Sequence, residues 1–308
     1  MRKVFFETLQ GIFQEDKSVY LMTADLGVKF FQDFKNIDPQ RVINVGVAET
    51  NMISIASGLS LAGKNVYCYS IIPFLTMRAL EQIRVDLCYP NLNVKLLGAG
   101  GGLVYGVEGM THHAIEDIAI MRSLPNMTVV CPGDSREAGA LAQASLPHQG
   151  PLYIRFGRDS DPEVNGDNFQ FKIGKGIVVE EGKDVCLMAT GTMLYLGKIV
   201  SDALKEKGLN PSLVSLHTVK PLDEGLVRDC AKKYRVIFTL EEHNILGGLG
   251  GAVAEVLAEA RYGGIFKRIG IQDKYSFPEV GSPDYLREKA GLSPEEIIQT
   301  ISETIKKA

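Results

Sequence analysis

VINVGVAETNMISIASGLSLAG, residues 42–63, is the stretch whose reading decides the fold. Its apolar run Val42–Val47 is broken by Gly46 and followed by Ala48. Glu49 comes next, and then Met52, Ile53, Ile55, Ala56, Leu59 and Leu61 recur at helical spacing. A single carboxylate therefore stands where a strand hands over to the first turn of a helix. In open α/β sheets that is the end where ligands bind. A Glu in a first helical turn also suits the helix dipole and can cap backbone N–H groups, so a purely structural reading stands beside the chemical one. Next to Val45, Val47 and Ile53 the group is expected to be partly desolvated. Its pKa would then rise toward the range useful for proton exchange.

Outward from this stretch the same alternation repeats. Strand candidates at Val19–Met22, Val66–Tyr69, Val94–Leu97, Thr128–Val130 and Leu152–Arg155 are separated by helix candidates such as Thr76–Leu87, His113–Ser123 and Ser135–Ser145. After GRDSDPEVNGDNFQFK (157–172), rich in Gly, Asp and Asn, a second series begins. VCLMATG, LVSLHT, VIFTLEE and IFKRIGI read as strands, with helices over Leu194–Lys207, after Leu222, over Ala252–Ala260 and over Pro294–Ile305. The pattern predicts an α/β protein with two doubly wound, mostly parallel sheet domains, 1–158 and 173–308, joined by a linker at 159–172.

Composition narrows the functional class. The chain has 308 residues, 45% of them hydrophobic and 23% charged, with a formal net charge of -4. No basic stripe is present, which argues against a nucleic-acid binder. No apolar run is long enough for a bilayer, and the charged N-terminal pattern MRKVFFETLQGIF reads as an amphipathic helix without a cleavage site. Five scattered cysteines without a CxxC pair read as buried hydrophobes in a reducing compartment, so the expected location is the cytoplasm.

Three further stretches carry candidate chemistry. GAGGGLVYGVEGMTHHAIED (98–117) is a glycine-rich turn after a strand, where glycines permit positive φ and close approach of backbone to a ligand. It contains Glu108, His112 and His113. Adjacent histidines point different ways, so at most one of the two faces a crevice. YIRFGR (153–158) ends a strand with Arg155 and Arg158. Arg155 could clamp a phosphate or carboxylate, or form a salt bridge at a surface or interface. GLGGAV (248–253) comes within one step of a dinucleotide fingerprint but lacks its third glycine and following acid. A tight packing turn is the better reading.

Taken together, TADL (23–26), GVAETNMISIASGL, RALEQIR (78–84), EGMTHHAIEDIAIMRSLPNMTVV (108–130), HTVKPLD (217–223) and EEHNILGGLG resemble the C-terminal half of transketolase over nearly the whole chain. The resemblance implies thiamine diphosphate as cofactor. Glu49 matches the family Glu that pairs with the aminopyrimidine and drives its amine to the imino form, which then deprotonates the thiazolium carbon. The resemblance also implies cofactor contacts from Asp25 and from a stacking aromatic. That position falls at Ile72 in an ungapped register, with Phe74 and Tyr69 as neighbouring alternatives. It implies catalytic and substrate roles for His112, and substrate contacts from Glu108, His113 and Arg155.

The family's GDG motif for diphosphate and Mg²⁺ is absent, since GDS at Gly133 and GDN at Gly166 lack its continuation. The metal ligands are therefore expected on an N-terminal, diphosphate-binding partner subunit, in an α2β2 assembly acting on a sugar or sugar phosphate. Three alternatives remain open at this point. One is another thiamine enzyme subunit, deoxyxylulose-phosphate-synthase-like or of the 2-oxoacid dehydrogenase β type. Another is a non-catalytic module with a decayed site, and the last is a nicotinamide-binding protein.

Overall fold

The computed structural model describes residues 1–157, 162–166, 168–275 and 280–307. The strands, in chain order, are β1 (Val19–Thr23), β2 (Val42–Asn44), β3 (Asn65–Ile71), β4 (Val94–Ala99), β5 (Thr128–Val130), β6 (Leu152–Phe156), β7 (Ile177–Glu180), β8 (Cys186–Ala189), β9 (Ser212–Ser215), β10 (Thr218–Lys220), β11 (Val236–Asn244) and β12 (Ile265–Ile271). They form two sheets flanked by helices. The first has the order β10-β5-β6-β4-β3-β1-β2 and the second β12-β11-β8-β9-β7. Every pairing is parallel except β10 on β5 and β7 on β9. Strands covered on both faces need apolar residues throughout, and β4 and β6 are buried at every position.

The topology places a crevice. β1 pairs with β2 on one side and β3 on the other, so the chain reverses direction across β1. This is the switch point of the first sheet, and the carboxyl ends of β1, β2 and β3 open there. The N-terminal helix Arg2–Glu15 packs on the face of the sheet that carries Tyr69. That helix buries Phe5, Phe6, Leu9, Ile12 and Phe13 at helical spacing, and its rings pack on Phe30, Phe31, Phe34, Tyr69 and Phe156.

The structure differs from the sequence pattern in two informative places. The expected helix Thr76–Leu87 is instead a π-helical turn Phe74–Arg78, a short α-helical turn Leu80–Gln82 and a second π-helical segment Ile83–Cys88. Such wide turns often mark functional positions because they shift side chains off the regular helical lattice. LVSLHT is not one strand either. It breaks at His217, whose carbonyl accepts from Cys131 N–H (2.7 Å), and β10 then joins the first sheet antiparallel to β5. A strand of the second segment thus completes the sheet of the first. Arg158, with the rest of 158–161, lies outside the described residues.

A carboxylate also stitches the two halves. Asp134 caps the helix Ser135–Ser145 by accepting from Glu137 N–H, and its other oxygen accepts from Asn165. Glu137, fully buried, accepts from Gly133 N–H (2.6 Å), Asn165 Nδ2 (3.0 Å) and Ser215 Oγ of β9 (2.7 Å). Burial pushes its pKa up to about 7, and burial likewise takes Glu241 of β11 to about 7. Since these folded values exceed the unfolded one, the native state keeps protons that the unfolded chain has released between roughly pH 4.5 and 7. Stability falls as pH rises through that window. Glu137→Gln removes one of the two groups, so the decline in melting temperature between pH 5 and 8 should become shallower than in the wild type; equal slopes in thermal melts would refute this.

Candidate active site

The site grows from the hand-over at β2. Gly46 adopts φ 73°, a left-handed conformation that lets the chain turn sharply out of the strand into the helix Glu49–Leu61. Glu49 opens that helix but makes no capping bond. Its side chain, 2% exposed, instead reaches toward β3. Ser70 Oγ donates to its Oε1 (3.2 Å) and Arg78 Nη1 donates to its Oε2 (2.9 Å). The expectation of a carboxyl among apolar neighbours alone is therefore incomplete. Ile53 is buried beside it, but Val47 is 75% exposed, and a cation and a hydroxyl hold the two oxygens.

Arg78 leads to the aromatic side of the site. Its guanidinium carbon stands 4.4 Å from the centroid of the Phe74 ring, and Phe74 meets His112 edge to face at 5.2 Å. His112 also meets Tyr105 at 5.7 Å, and its Nδ1 is 2.9 Å from Thr111 Oγ1. Glu49, Arg78, Phe74, His112 and Tyr105 thus form one contiguous set. At the adjacent strand ends Asp25, at φ 57°, exchanges hydrogen bonds with Asn44, which also receives Gly46 N–H.

Other expected site residues are placed elsewhere. Tyr69 is walled in by Phe6 and Phe31 on the N-terminal helix side of the sheet, because neighbours on a strand point to opposite faces. Ile72 is fully buried against Gly98. His113 is buried, and its Nε2 donates to Gly106 O (3.0 Å); burial lowers its pKa, so it is a neutral residue holding the loop. Glu108 sits exposed on the short turn Gly106–Glu108.

Arg155 requires the largest correction. It is 3% exposed, its Nε pairs with the fully buried Asp117 (2.8 Å), and one terminal nitrogen donates to Ala114 O (2.8 Å) and Glu242 O (3.0 Å). These contacts hold the guanidinium between the two halves of the chain rather than leaving it open as an anion clamp.

The glycine run is explained by the same seam. A Cβ on Gly100 would strike Tyr105, one on Gly101 would strike Arg155, and one on Gly102 would strike Glu242. The glycines admit the protein's own side chains, where the sequence suggested a ligand. Glu242 in turn accepts from Leu103 N–H, Thr192 Oγ1 and Arg287. Although burial alone would raise its pKa, Arg287 and these donors hold it below the ordinary value. GLGGAV shows the same economy. Glu241 accepts from Leu249 N–H (2.6 Å) and Gly250 N–H (2.8 Å), so an internal carboxylate fills the helix N-terminus where a dinucleotide phosphate would sit.

Arg78, Ser70, Asn44 and Tyr105 did not stand out in sequence. Arg78 lay inside a motif whose register against Glu49 depends on the π turn, and the others are polar residues at strand or loop ends that tertiary pairing alone brings together.

An α/β scaffold with a buried carboxylate at a sheet switch point defines a ligand-binding crevice of the kind that cofactor enzymes use. Residues 1–162 match the transketolase pyrimidine-binding domain and residues 174–297 the transketolase C-terminal domain. The chain belongs to the transketolase family and has the make-up of the C-terminal section of a split enzyme. It is 36% identical over 304 residues to a 6-deoxy-6-sulfo-D-fructose transketolase subunit of Clostridium sp. (strain MSTE9), covering 98% of this chain and 94% of that one. It is 35% identical over 308 residues to an apulose-4-phosphate transketolase subunit of Phocaeicola vulgatus, covering 99% and 97%. A solved split-gene transketolase described as an inactive β4 tetramer superposes with a TM-score of 0.88 at 34% identity, covering 99% of this chain and 97% of that one.

Removing Arg155 leaves Asp117 buried without its cation. Arg155→Met is expected to cost about 3–5 kcal/mol in denaturant unfolding, and a double variant with Asp117→Asn to recover part of it. A phosphate clamp would show the opposite pattern, a raised KM with unchanged stability.

Proposed function

We propose that this chain is one half of a thiamine-diphosphate-dependent ketol transferase that moves a two-carbon unit from a ketose to an aldehyde. The observation that carries this reading is Glu49. A carboxylate 2% exposed, at the sheet switch point and one side chain away from the Phe74 ring, offers both a hydrogen-bonding edge and an apolar face to a planar ring. The donor set fits an aminopyrimidine, which needs an acid at a ring nitrogen and an aromatic surface beneath it. When bound, thiamine diphosphate would supply the carbanion and the electron sink.

The chain's own residues would hold the ring and control one proton. Glu49 would bond the ring nitrogen, with Ser70 keeping the carboxyl turned toward it. Phe74 would carry the ring face, and Asp25 would line the neighbouring strand end. His112, held edge-on by Phe74 and Tyr105, would bond a substrate hydroxyl and pass a proton in this reading. Glu108 is a further substrate contact in this reading. Arg155 is not, since its donors serve the seam between the two halves.

Several wider features follow from the same reading. Residues 1–158 would form the pyrimidine-binding domain, 159–172 the linker and 173–308 the C-terminal domain. Mg²⁺ and the diphosphate would be held by a partner subunit, in an α2β2 assembly, because the GDG motif that holds them in the family is missing from this sequence. Val47 (75% exposed) precedes the helix that begins with Glu49 and Leu61 (71% exposed) ends it, and such apolar side chains suit a face that another subunit covers. No described helix is long and apolar enough to cross a membrane; the cytoplasm is the proposed location, because five free, buried cysteines suit a reducing compartment.

The test is Glu49→Gln in the chain assembled with its diphosphate-binding partner. Ketol transfer should fall about 100-fold or more, with the melting temperature of the chain nearly unchanged. A panel of ketose donors set against pyruvate reports the reaction class. Near-normal turnover by the variant, or activity with pyruvate alone, would overturn the proposal.

A further inference from the structure

Arg78 bridges the two groups, Glu49 and Phe74, that the proposed function gives to the cofactor ring. Its Nη1 lies 2.9 Å from Glu49 Oε2, and its guanidinium carbon lies 4.4 Å from the centre of the Phe74 ring. A guanidinium is a planar, delocalised group with N–H donors in its own plane, and it stacks on aromatic faces. An aminopyrimidine presents the same two elements, an in-plane nitrogen edge and a π face. Arg78 therefore satisfies both Glu49 and Phe74 in the manner the ring would, and the two groups cannot share the place.

We propose that Arg78 is a built-in stand-in for the pyrimidine, which fills the Glu49–Phe74 slot in the cofactor-free chain and swings out when the cofactor enters. The proposal rests on the reading that Glu49 and Phe74 receive the ring.

Three features of the chain suit this role. First, the side chain of Arg78 is 48% exposed while that of Glu49 is 2% exposed, so the cation reaches in from solvent and has an open way back. Second, Arg78 closes the π-helical turn Phe74–Arg78, whose widened geometry sets ring and guanidinium over one another. Third, the stand-in removes a cost. Glu49 is sunk among Ile53 and Met52, and without a partner its charge would be stranded. Arg78 keeps that charge paired until a ligand replaces it. The consequence for binding is competitive. A slot that is open only part of the time lowers apparent affinity by the open fraction.

The experiment is calorimetric titration of thiamine diphosphate, with Mg²⁺, into this chain assembled with its diphosphate-binding partner. Wild type is compared with Arg78→Met, which keeps the stem and removes the guanidinium, and with Arg78→Lys, which keeps the charge but not the plane. The expected result is a Kd several-fold to tenfold lower for Arg78→Met, with Arg78→Lys in between. Arg78→Lys also serves if Arg78→Met does not assemble. Glu49→Gln and Phe74→Ala are run beside them and should each weaken binding tenfold or more. If those two weaken binding while both Arg78 variants bind as wild type or more weakly, the stand-in is overturned and the site reading survives. If Glu49→Gln and Phe74→Ala bind as wild type, the site reading itself has failed, and the stand-in with it.

Discussion

The interaction on which the rest depends is the buried pair of Arg155 and Asp117. A guanidinium 3% exposed has to be matched on every side, because charge removed from water is tolerated only when paired and hydrogen-bonded. Asp117 neutralises it, Tyr153 Oη donates to the same carboxylate oxygen (2.6 Å), and Ala114 and Glu242 supply carbonyls. These partners come from residues 114–117, from Tyr153 on Arg155's own strand and from Glu242 on β11. Satisfying Arg155 therefore forces the glycine loop, the helix Asp117–Ser123 and β11 of the second sheet to meet at one point. Gly101 and Gly102 are what that meeting requires, since a Cβ on either would collide with Arg155 or Glu242, while one on Gly100 would strike Tyr105.

A rigid seam has a functional use. The loop that carries His112 runs from this seam toward Phe74, anchored by Leu103 N–H on Glu242 and by paired backbone bonds between Gly102 and Ala114. Its ring is thereby held against Phe74 and Tyr105 rather than hanging from a mobile loop. Among the described residues, the second sheet contributes no side chain to the Glu49 cluster. It contributes the surface against which that loop is shaped, and through β10 the second half of the chain also extends the first sheet. The two halves act as one frame for a crevice whose described Glu49 cluster comes from the first.

Polar groups in that frame carry its pH response. Glu137, with donors from Asn165 and Ser215, and Glu241, with donors from the nearby Leu249 and Gly250, are buried carboxyls, and burial raises both. Glu242, equally buried, is held low by Arg287. Three buried acids thus behave differently because of the presence or absence of a cation in contact, with similar burial throughout.

The sequence by itself determined the α/β architecture, the strand-to-helix position of Glu49 and the family resemblance. These are local or periodic signals: apolar runs, helical spacing and short motifs survive in one dimension. It could not say what each glycine or arginine faces. An Arg at a strand end and a run of glycines look alike whether the group that approaches is a ligand or the protein's own side chain. Asp117 and Glu242, which answer that question for Arg155, lie 38 and 87 residues away in the chain. In sequence the stacking position falls at Ile72 in an ungapped register, with Phe74 the nearest aromatic alternative and Tyr69 a weaker one. The alternation of side chains across β3 sent Tyr69 into the aromatic core, and the π turn brought Phe74 beside Arg78 and His112. Only tertiary structure decides such matters, because they depend on which face of a strand is covered and on which distant atoms arrive to pair a buried charge.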